Sequence, residues 1–479
     1  MILFLNAPGV EFHQRSSRWG GRINRSGYLV LPIFLATAAN YLKKQGIDSR
    51  IVDAAASGMR REDIDDLLRK HDPEIIVIEA STISINEDAE TARYLKDRCA
   101  ARIVLVGFHV SALPERSMRE LPADFICLGE YEKTLLEFYR AWKNHGDYRR
   151  VKGLGWRDEG GNIRINDRRP LIDLDELPMP LYDDLPLKNY YDPIARNRPC
   201  ISVRTMRGCP FRCIYCVAPQ VMYERKVRFR KAEFVAEEVE YLISRGVREI
   251  FFDDETFTVN RQHVYSICRS LKERGIRIDW SCFARGDCVD EEMLEEMESA
   301  GCYMIRYGIE SFDDRVLRSL KKGITTDQIR RAFRLTRRLG LKTHATVMYG
   351  APEETMETMR NTLKFVLEAD PDYAQFTICT PYPGTEYYDW ALKENRLLSG
   401  NWSDFDGSSR MIVKSDHLTP GLVENYVDHS YRVFYFRFRY VLKRLLRIRR
   451  WGEVYYVFKS GYNLIKRHAG LALAGIRKN

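Results

Sequence analysis

Short apolar runs recur along the first third of the chain, each followed by a stretch whose apolar positions repeat every three or four residues. The runs are "ILFL", "SRIVDA", "EIIVIEA", "RIVLVG" and "ADFICLG"; helical spacing marks residues 31–45, 61–71 and 87–99 between them. Repeated five times, this alternation predicts a Rossmann-like, open and doubly wound parallel sheet over residues 1–145. Ligands in such sheets lie beyond the carboxyl ends of the strands. Ser81 and Thr82 follow the third run, Gly107 and His109 the fourth, and Gly129 and Glu130 the fifth.

Residues 146–195 break the rhythm. "RDEGGNIRIND" reads as a hairpin and "ELPMPLYDDLP" as a Pro-rich connector, so the stretch is expected to be a linker with a small hairpin of its own. A second series follows in "CISVRT", "REIFF", "IDWSCF", "YMIRYG", "KTHATVMYG" and "AQFTICT", with helical patterns between. Six repeats exceed a mononucleotide-binding half and fall short of an eight-fold barrel. The α/β expectation is therefore a partial, TIM-like (β/α)6 barrel over residues 196–395, with a helical, basic extension over 396–479.

Parallel barrels carry their chemistry at the carboxyl ends of the strands, and the unusual clusters fall there. The first strand leads into "RGCPFRCIYC", which spaces Cys209, Cys213 and Cys216 as C-x3-C-x2-C. The later ends carry Asp253, Asp254 and Glu255, then Arg285, then Glu310, then Gly350 in "YGAPEET", and finally "PYPGTEYY". A structural zinc site wants four ligands, usually as two separated pairs, and Cys200 is the only nearby candidate for a fourth. Iron–sulfur clusters are normally held by four thiolates; a cubane held by three leaves one iron open to a non-protein ligand.

This arrangement resembles the radical S-adenosylmethionine (SAM) superfamily, whose signature is C-x3-C-x2-C after the first strand of a partial barrel. The resemblance implies a [4Fe–4S] cluster on Cys209, Cys213 and Cys216, whose open iron chelates SAM. One electron, from a donor such as flavodoxin or ferredoxin, then cleaves SAM to methionine and a 5′-deoxyadenosyl radical. It implies SAM contacts at Tyr215, at Asp253, Asp254 or Glu255, and at Arg285, Glu310 and Gly350. With "FLNAP", "GFHVSALPE", "LGEYEKTL" and "DLDELPMPLYDDL", residues 1 to about 395 resemble the cobalamin-binding subfamily of these enzymes. That makes Ser81, Thr82, Gly107, His109, Gly129 and Glu130 candidates to line a cobalamin site. The D-x-H-x-x-G motif that presents a histidine to cobalt is absent. Within the subfamily, "EIFFDDETFT", "WSCFAR" and "ATVMYGAPEETMETMRNTLKF" look closest to hopanoid-biosynthesis-associated proteins that remodel a lipid-linked sugar head group. The chemistry implied is modification of an unactivated carbon of a lipid or natural-product intermediate, by cobalamin-dependent methylation or by rearrangement such as ring contraction. Cys282, Cys288, Cys302, Cys379 and Tyr382 stay open as hydrogen donors, and the residues keep one rival class, a non-catalytic zinc protein that binds nucleic acid. A methylthiotransferase would be expected to carry cluster cysteines in its first domain, where only Cys99 and Cys127 occur.

Composition adds the setting. Eleven cysteines in 479 residues argue for a reducing cytoplasm rather than a secreted disulfide framework. The start "MILFLNAPGV" lacks the basic region of a signal peptide, and no apolar run is long enough to span a bilayer. The net charge of +9 belongs to the tail: from Ser430 onward stand 13 Lys and Arg against one acid, Glu453, which leaves the rest at −3. Residues 431–451 predict one amphipathic helix, with Phe434, Phe438, Val441, Leu445 and Ile448 on one stripe and Arg432, Arg439, Lys443 and Arg450 on another. Such a helix suits an anionic membrane surface, so contact with the inner face of the membrane is expected, ahead of nucleic acid.

Overall fold

The computed structural model describes residues 1–8 and 29–446. The first sheet has seven strands: β1 (Ile2–Asn6), β2 (Ser49–Asp53), β3 (Ile75–Glu79), β4 (Arg102–Val106), β5 (Phe125–Cys127), β6 (Leu154–Arg157) and β7 (Ile163–Ile165), in the order β2-β1-β3-β4-β5-β6-β7. The first five are parallel, and their side chains alternate between two cores. Ile2, Phe4, Ile75 and Val77 pack with Leu35, Leu42, Leu135 and Phe138 on one face. Leu3, Leu5, Ile76 and Ile78 pack with Ile64, Leu68, Ala92 and Leu95 on the other. Helices therefore cover both faces, which is why the runs read as unbroken apolar stretches rather than alternating ones. The hairpin of the connector does not stand alone. Its β6 pairs antiparallel with β5 and β7 with β6, extending the first sheet.

The second sheet is six parallel strands in chain order: β8 (Cys200–Val203), β11 (Glu249–Phe252), β12 (Asp279–Ala284), β13 (Cys302–Glu310), β14 (Lys342–Tyr349) and β15 (Tyr373–Ile378). Between β8 and β11 lies a small antiparallel pair, β9 (Met206–Arg207) with β10 (Arg228–Phe229), and the cysteine motif is the loop that joins them. An open barrel leaves an edge to protect. Along β15 the helix Pro420–Tyr435 does so with phenol groups: the Tyr431 hydroxyl accepts from the Phe376 N–H (3.2 Å), and the Tyr435 hydroxyl accepts from the Ala374 N–H (3.2 Å) and donates to its carbonyl (2.8 Å).

That edge corrects the expectation for the tail. Over the described part of that stretch, 431–446, no continuous stripe forms: the helix Pro420–Tyr435 stops within it and a second, Phe438–Leu446, begins after a break. Phe434 is fully buried against Phe376, whereas Phe438 is 79% exposed. Arg437 holds the bend, donating to the Leu367 carbonyl (3.2 Å) and pairing with Asp370 (3.0 Å). Burial on β15 wins over one uninterrupted amphipathic helix. Ile448, Arg450 and the side chain of Leu445 lie outside what is described.

Candidate active site

The cysteine loop is set by a glycine. Gly208 has φ +99°, and a Cβ there would sit 1.9 Å from the Lys226 carbonyl oxygen, so no side chain fits between the two ends of the loop. Gly208→Ala should therefore displace Cys209 and abolish iron–sulfur loading, read as loss of the broad visible absorbance of the reconstituted protein. Cys209 and Cys213 are buried and Cys216 half-buried. Burial pushes the Cys209 thiol up, and its Sγ lies 3.7 Å from Thr256 Oγ1. Gln220, in a single π-helical turn Ala218–Met222, donates to the carbonyls of Cys213 (3.3 Å), Ile214 (3.1 Å) and Cys216 (2.8 Å). Nothing in the motif spacing announced that lacing. Cys200 is no fourth ligand: it opens β8 beside Glu249, at the amino end of the barrel, while the loop follows the carboxyl end. Among the described residues no three His, Cys, Asp or Glu side chains are gathered as around one bare ion. Three thiols without a fourth protein donor fit a cubane with one open corner.

The predicted SAM residues separate into two groups. Glu310 ends β13 at φ +60°, a strained conformation for a side chain of this size and a frequent mark of functional sites. Its Oε1 accepts from the Tyr215 hydroxyl (3.1 Å) and the Lys322 ammonium (2.9 Å), so the tyrosine before Cys216 ties the acid to the cysteine loop. Gly308 makes room, since a Cβ there would stand 2.8 Å from Glu310 Oε1. The other oxygen, Oε2, is buried with no hydrogen-bond partner among the described residues. A buried carboxylate oxygen left over in this way fits a ligand hydroxyl or ammonium. Lys322 was not singled out in the sequence, where it is one of two adjacent lysines.

The second group braces the loop. Asp254 accepts from the N–H groups of Thr205 (2.8 Å) and Met206 (3.1 Å) and from the Thr205 hydroxyl (2.7 Å), and burial raises its pKa to about 7. Glu255 takes Arg204 (2.6 Å) and the Gly208 N–H (3.2 Å). Asp253, less buried, lies 3.5 Å from the same guanidinium. Arg285 stacks on Phe211 inside the cysteine loop, 3.5 Å from the ring centroid, and donates to Asp287 and to the Lys322 carbonyl. Gly350 gives its N–H to Glu354 Oε2 (2.6 Å), as does Ala351 (3.1 Å).

Glu354 is fully enclosed, and burial raises its pKa to about 8. Its folded pKa lies above the unfolded value, so its contribution to stability is complete below about pH 4.3 and is lost as pH rises through about 8. Glu354→Gln should remove that loss: the melting temperature of wild type is expected to fall relative to the variant between pH 5 and pH 9.

At the first sheet, Thr82 Oγ1 and His109 Nδ1 are 3.2 Å apart and both residues are buried. The His109 ring meets Trp402 edge-on at 5.0 Å, with Arg116 4.6 Å above the same indole. Burial drives the His109 pKa down to about 3, so the ring is neutral. The chain after β15 thus roofs this crevice, with Asn86 donating to Asn401 (3.2 Å) and Ser403 (3.0 Å). Ser81 meets Ser84 at 2.9 Å. Gly107, at φ +108°, passes so close that a Cβ would stand 2.8 Å from the Ala80 carbonyl oxygen, whereas Gly129 faces open space. Glu130 differs from expectation: both its oxygens are held by Arg207 and Arg228, which leaves it a place between domains rather than on a ligand. Of the open hydrogen donors, Cys302 starts β13 at the amino end, Cys282 is enclosed within β12, and Cys288 is half-buried beside Asp287. Cys379 follows β15 at the carboxyl end, in one apolar cluster with Cys213, Tyr215 and Tyr387, and the Tyr382 N–H donates to the Thr380 carbonyl (3.1 Å) just beyond.

A family model described as the radical SAM superfamily matches residues 203–366, and one described as a B12 binding domain matches residues 21–138. An uncharacterized methyltransferase of Pyrococcus horikoshii is 34% identical over 416 residues, spanning 86% of this chain and 89% of its own. Anaerobic magnesium-protoporphyrin IX monomethyl ester cyclase of Cereibacter sphaeroides is 29% identical over 420 residues (85% and 67%). Hopanoid C-3 methylase of Methylococcus capsulatus is 25% identical over 385 residues (78% and 71%). The solved structure of the cobalamin-dependent SAM radical enzyme OxsB, with aqua-cobalamin and SAM bound, superposes with a TM-score of 0.72 at 18% identity, covering 96% of this chain and 71% of that one. The fold is therefore a Rossmann-like cobalamin-type domain on a radical SAM barrel, and the molecule is an enzyme. The chain belongs to the radical SAM superfamily, in the branch that carries a B12-binding domain, and its cofactors are a [4Fe–4S] cluster, SAM and cobalamin. The expected class, fold and cofactor set are borne out; the zinc and nucleic-acid alternative finds no support.

Proposed function

We propose that this enzyme methylates an unactivated carbon of a lipid or natural-product intermediate in the cytoplasm. The observation that carries the site is the set of three thiols at the carboxyl face of the barrel beside the unpartnered Glu310 oxygen. When bound, the cluster and SAM supply a 5′-deoxyadenosyl radical and cobalamin a transferable methyl group. Cys209, Cys213 and Cys216 would hold the cluster, Glu310 would orient SAM with its free oxygen, and Tyr215 and Lys322 would fix that carboxylate. Thr82, Gly107 and His109 would line the cobalamin crevice, with His109 neutral and packed. Methyl transfer is favoured over rearrangement by the Pyrococcus relative, whose name says methyltransferase, at 34% identity. A flavodoxin or ferredoxin would deliver the electron.

The lipid reading draws on the relative named a hopanoid methylase and on an exposed edge of Phe436, Phe438, Val441 and Leu442 next to Arg439. No described helix is long and apolar enough to cross a membrane, so contact there would be peripheral. The test incubates reduced, reconstituted holoenzyme and SAM separately with the polar-lipid extract and with the lipid-free extract of a strain lacking the gene. Deoxyadenosine together with a product heavier by one CH2 supports the proposal. A product of unchanged mass turns it to rearrangement, and conversion confined to the lipid-free extract removes the lipid.

A further inference from the structure

Two arginines frame the cysteine loop. Arg207, two residues before Cys209, and Arg228, at the far end, face each other as partners across β9 and β10. Both reach out of the barrel to one carboxylate in the other domain. Glu130 Oε1 accepts from Arg207 Nη1 (2.9 Å) and Arg228 Nη2 (2.8 Å), and Oε2 from Arg228 Nη1 (2.8 Å) and the Ile172 N–H (3.0 Å). Arg207 Nη2 pairs in addition with Glu132 (2.6 Å). Phe34, from the helix Ile33–Lys44, lies beneath, its ring centroid 5.2 Å from the Arg207 guanidinium. Arg207, Glu130 and Glu132 are all more than nine-tenths buried.

Glu130 is itself tied to the crevice. The Gly129 N–H donates to Ser111 Oγ (2.9 Å), whose hydroxyl donates to the Gly107 carbonyl (2.7 Å). Arg168 then bridges the Ser111 carbonyl to that of Val221, beyond the cysteines, at 2.6 Å each. Close packing matches this: a Cβ on Gly384 would stand 2.7 Å from Val221 and 3.0 Å from Ala112. The loops at the ends of β4 and β5 and both ends of the cysteine loop thus form one rigid joint, and its hub is a charge-assisted, bidentate contact of the strong kind.

We infer that Glu130 is a positioning residue, which locks the cluster loop to the cobalamin-type domain and so fixes the separation and orientation of the two cofactors. This rests on the cofactor assignment above. Removing its charge leaves the half-buried Arg228 with a neutral partner and the buried Arg207 with Glu132 alone, so the joint loosens while the cysteines and the crevice are untouched.

Holoenzyme poised so that the cluster is one-electron reduced and the cobalamin is cob(II)alamin would carry two paramagnets, and pulsed dipolar EPR reads the distance between them. Wild type is expected to give one narrow distance. Glu130→Gln, with iron and cobalt contents unchanged, is expected to give a broadened or shifted distribution, and Glu130→Asp to recover most of the narrow one. Loaded Glu130→Gln with the wild-type distribution would overturn the inference. Should that variant fail to fold, Arg228→Gln, which removes only the outer arm, decides by the same measure: a changed distribution supports the joint and an unchanged one sinks it. Wild type that takes up no iron or no cobalamin on reconstitution would refute the cofactor assignment instead, and the joint would fall with it.

Discussion

Cys213→Ala protein, reconstituted anaerobically with iron and sulfide, is expected to hold no SAM-responsive cluster and to release no deoxyadenosine when reduced. The loop offers three thiols, and no nearby described cysteine replaces one: Cys200 lies at the other end of β8, and Cys379, though in the same apolar cluster, follows β15, the opposite edge strand of the sheet. A cubane with two protein ligands would expose two irons and be lost to chelators. The fold should survive, because deleting one buried sulfur removes on the order of 1 kcal/mol of burial and the loop keeps its Gln220 and Arg285 braces. Cobalamin should still bind, since the crevice proposed for it lies beyond β3, β4 and β5, on the first sheet rather than on the cysteine loop. Iron content, deoxyadenosine by chromatography and the cobalamin absorbance of the same sample check all three. Deoxyadenosine at the wild-type rate would remove the thiols from the chemistry.

What the chain revealed on reading depended on how local the information was. The cysteine spacing and the strand ends are contiguous words, and the same words align at one face of the barrel. Division of labour among the acids was not legible. Asp253, Asp254 and Glu255 stand side by side, and only the return of the chain through Thr205 and Gly208 shows that two of them brace backbone. Glu130 looked like a crevice residue because it follows β5; its partners lie 77 and 98 positions away. Trp402 and Lys322 were invisible for the same reason: the first meets His109 with the whole barrel between them in sequence, and the second means nothing until Glu310 is placed beside it. The tail misled because amphipathic spacing reads the same whether the apolar side meets a lipid or the edge of β15. Phenol hydroxyls on Tyr431 and Tyr435, which need acceptors or donors when buried, were the hint that a sheet edge was the partner.

Glu310→Gln is expected to weaken SAM binding at least tenfold and to destabilise the protein, and a second substitution separates the two effects. Glu310 and Lys322 are each about 3–4% exposed at 2.9 Å, so neutralising the acid strands a buried ammonium, a change worth about 3–5 kcal/mol. Replacing Lys322 as well takes away the stranded charge: Glu310→Gln/Lys322→Met should regain most of the lost melting temperature, since a well-packed apolar pair often equals a buried ion pair. It should not regain SAM binding. The free Oε2 of a carboxylate accepts two hydrogen bonds and carries charge, whereas the amide that replaces it presents either a neutral oxygen or an NH2 donor. Equilibrium dialysis of SAM on reconstituted protein and thermal melts of the same three samples give both numbers. If the double variant binds SAM as wild type does, the carboxylate serves the fold, and the strained φ of +60° at residue 310 reflects the register shift between β13 and β14 at Gly308 and Glu310 rather than a ligand. If binding and stability instead fall and return together, the single Glu310→Gln result says nothing about SAM, and only the decoupled outcome assigns the unpartnered oxygen to it.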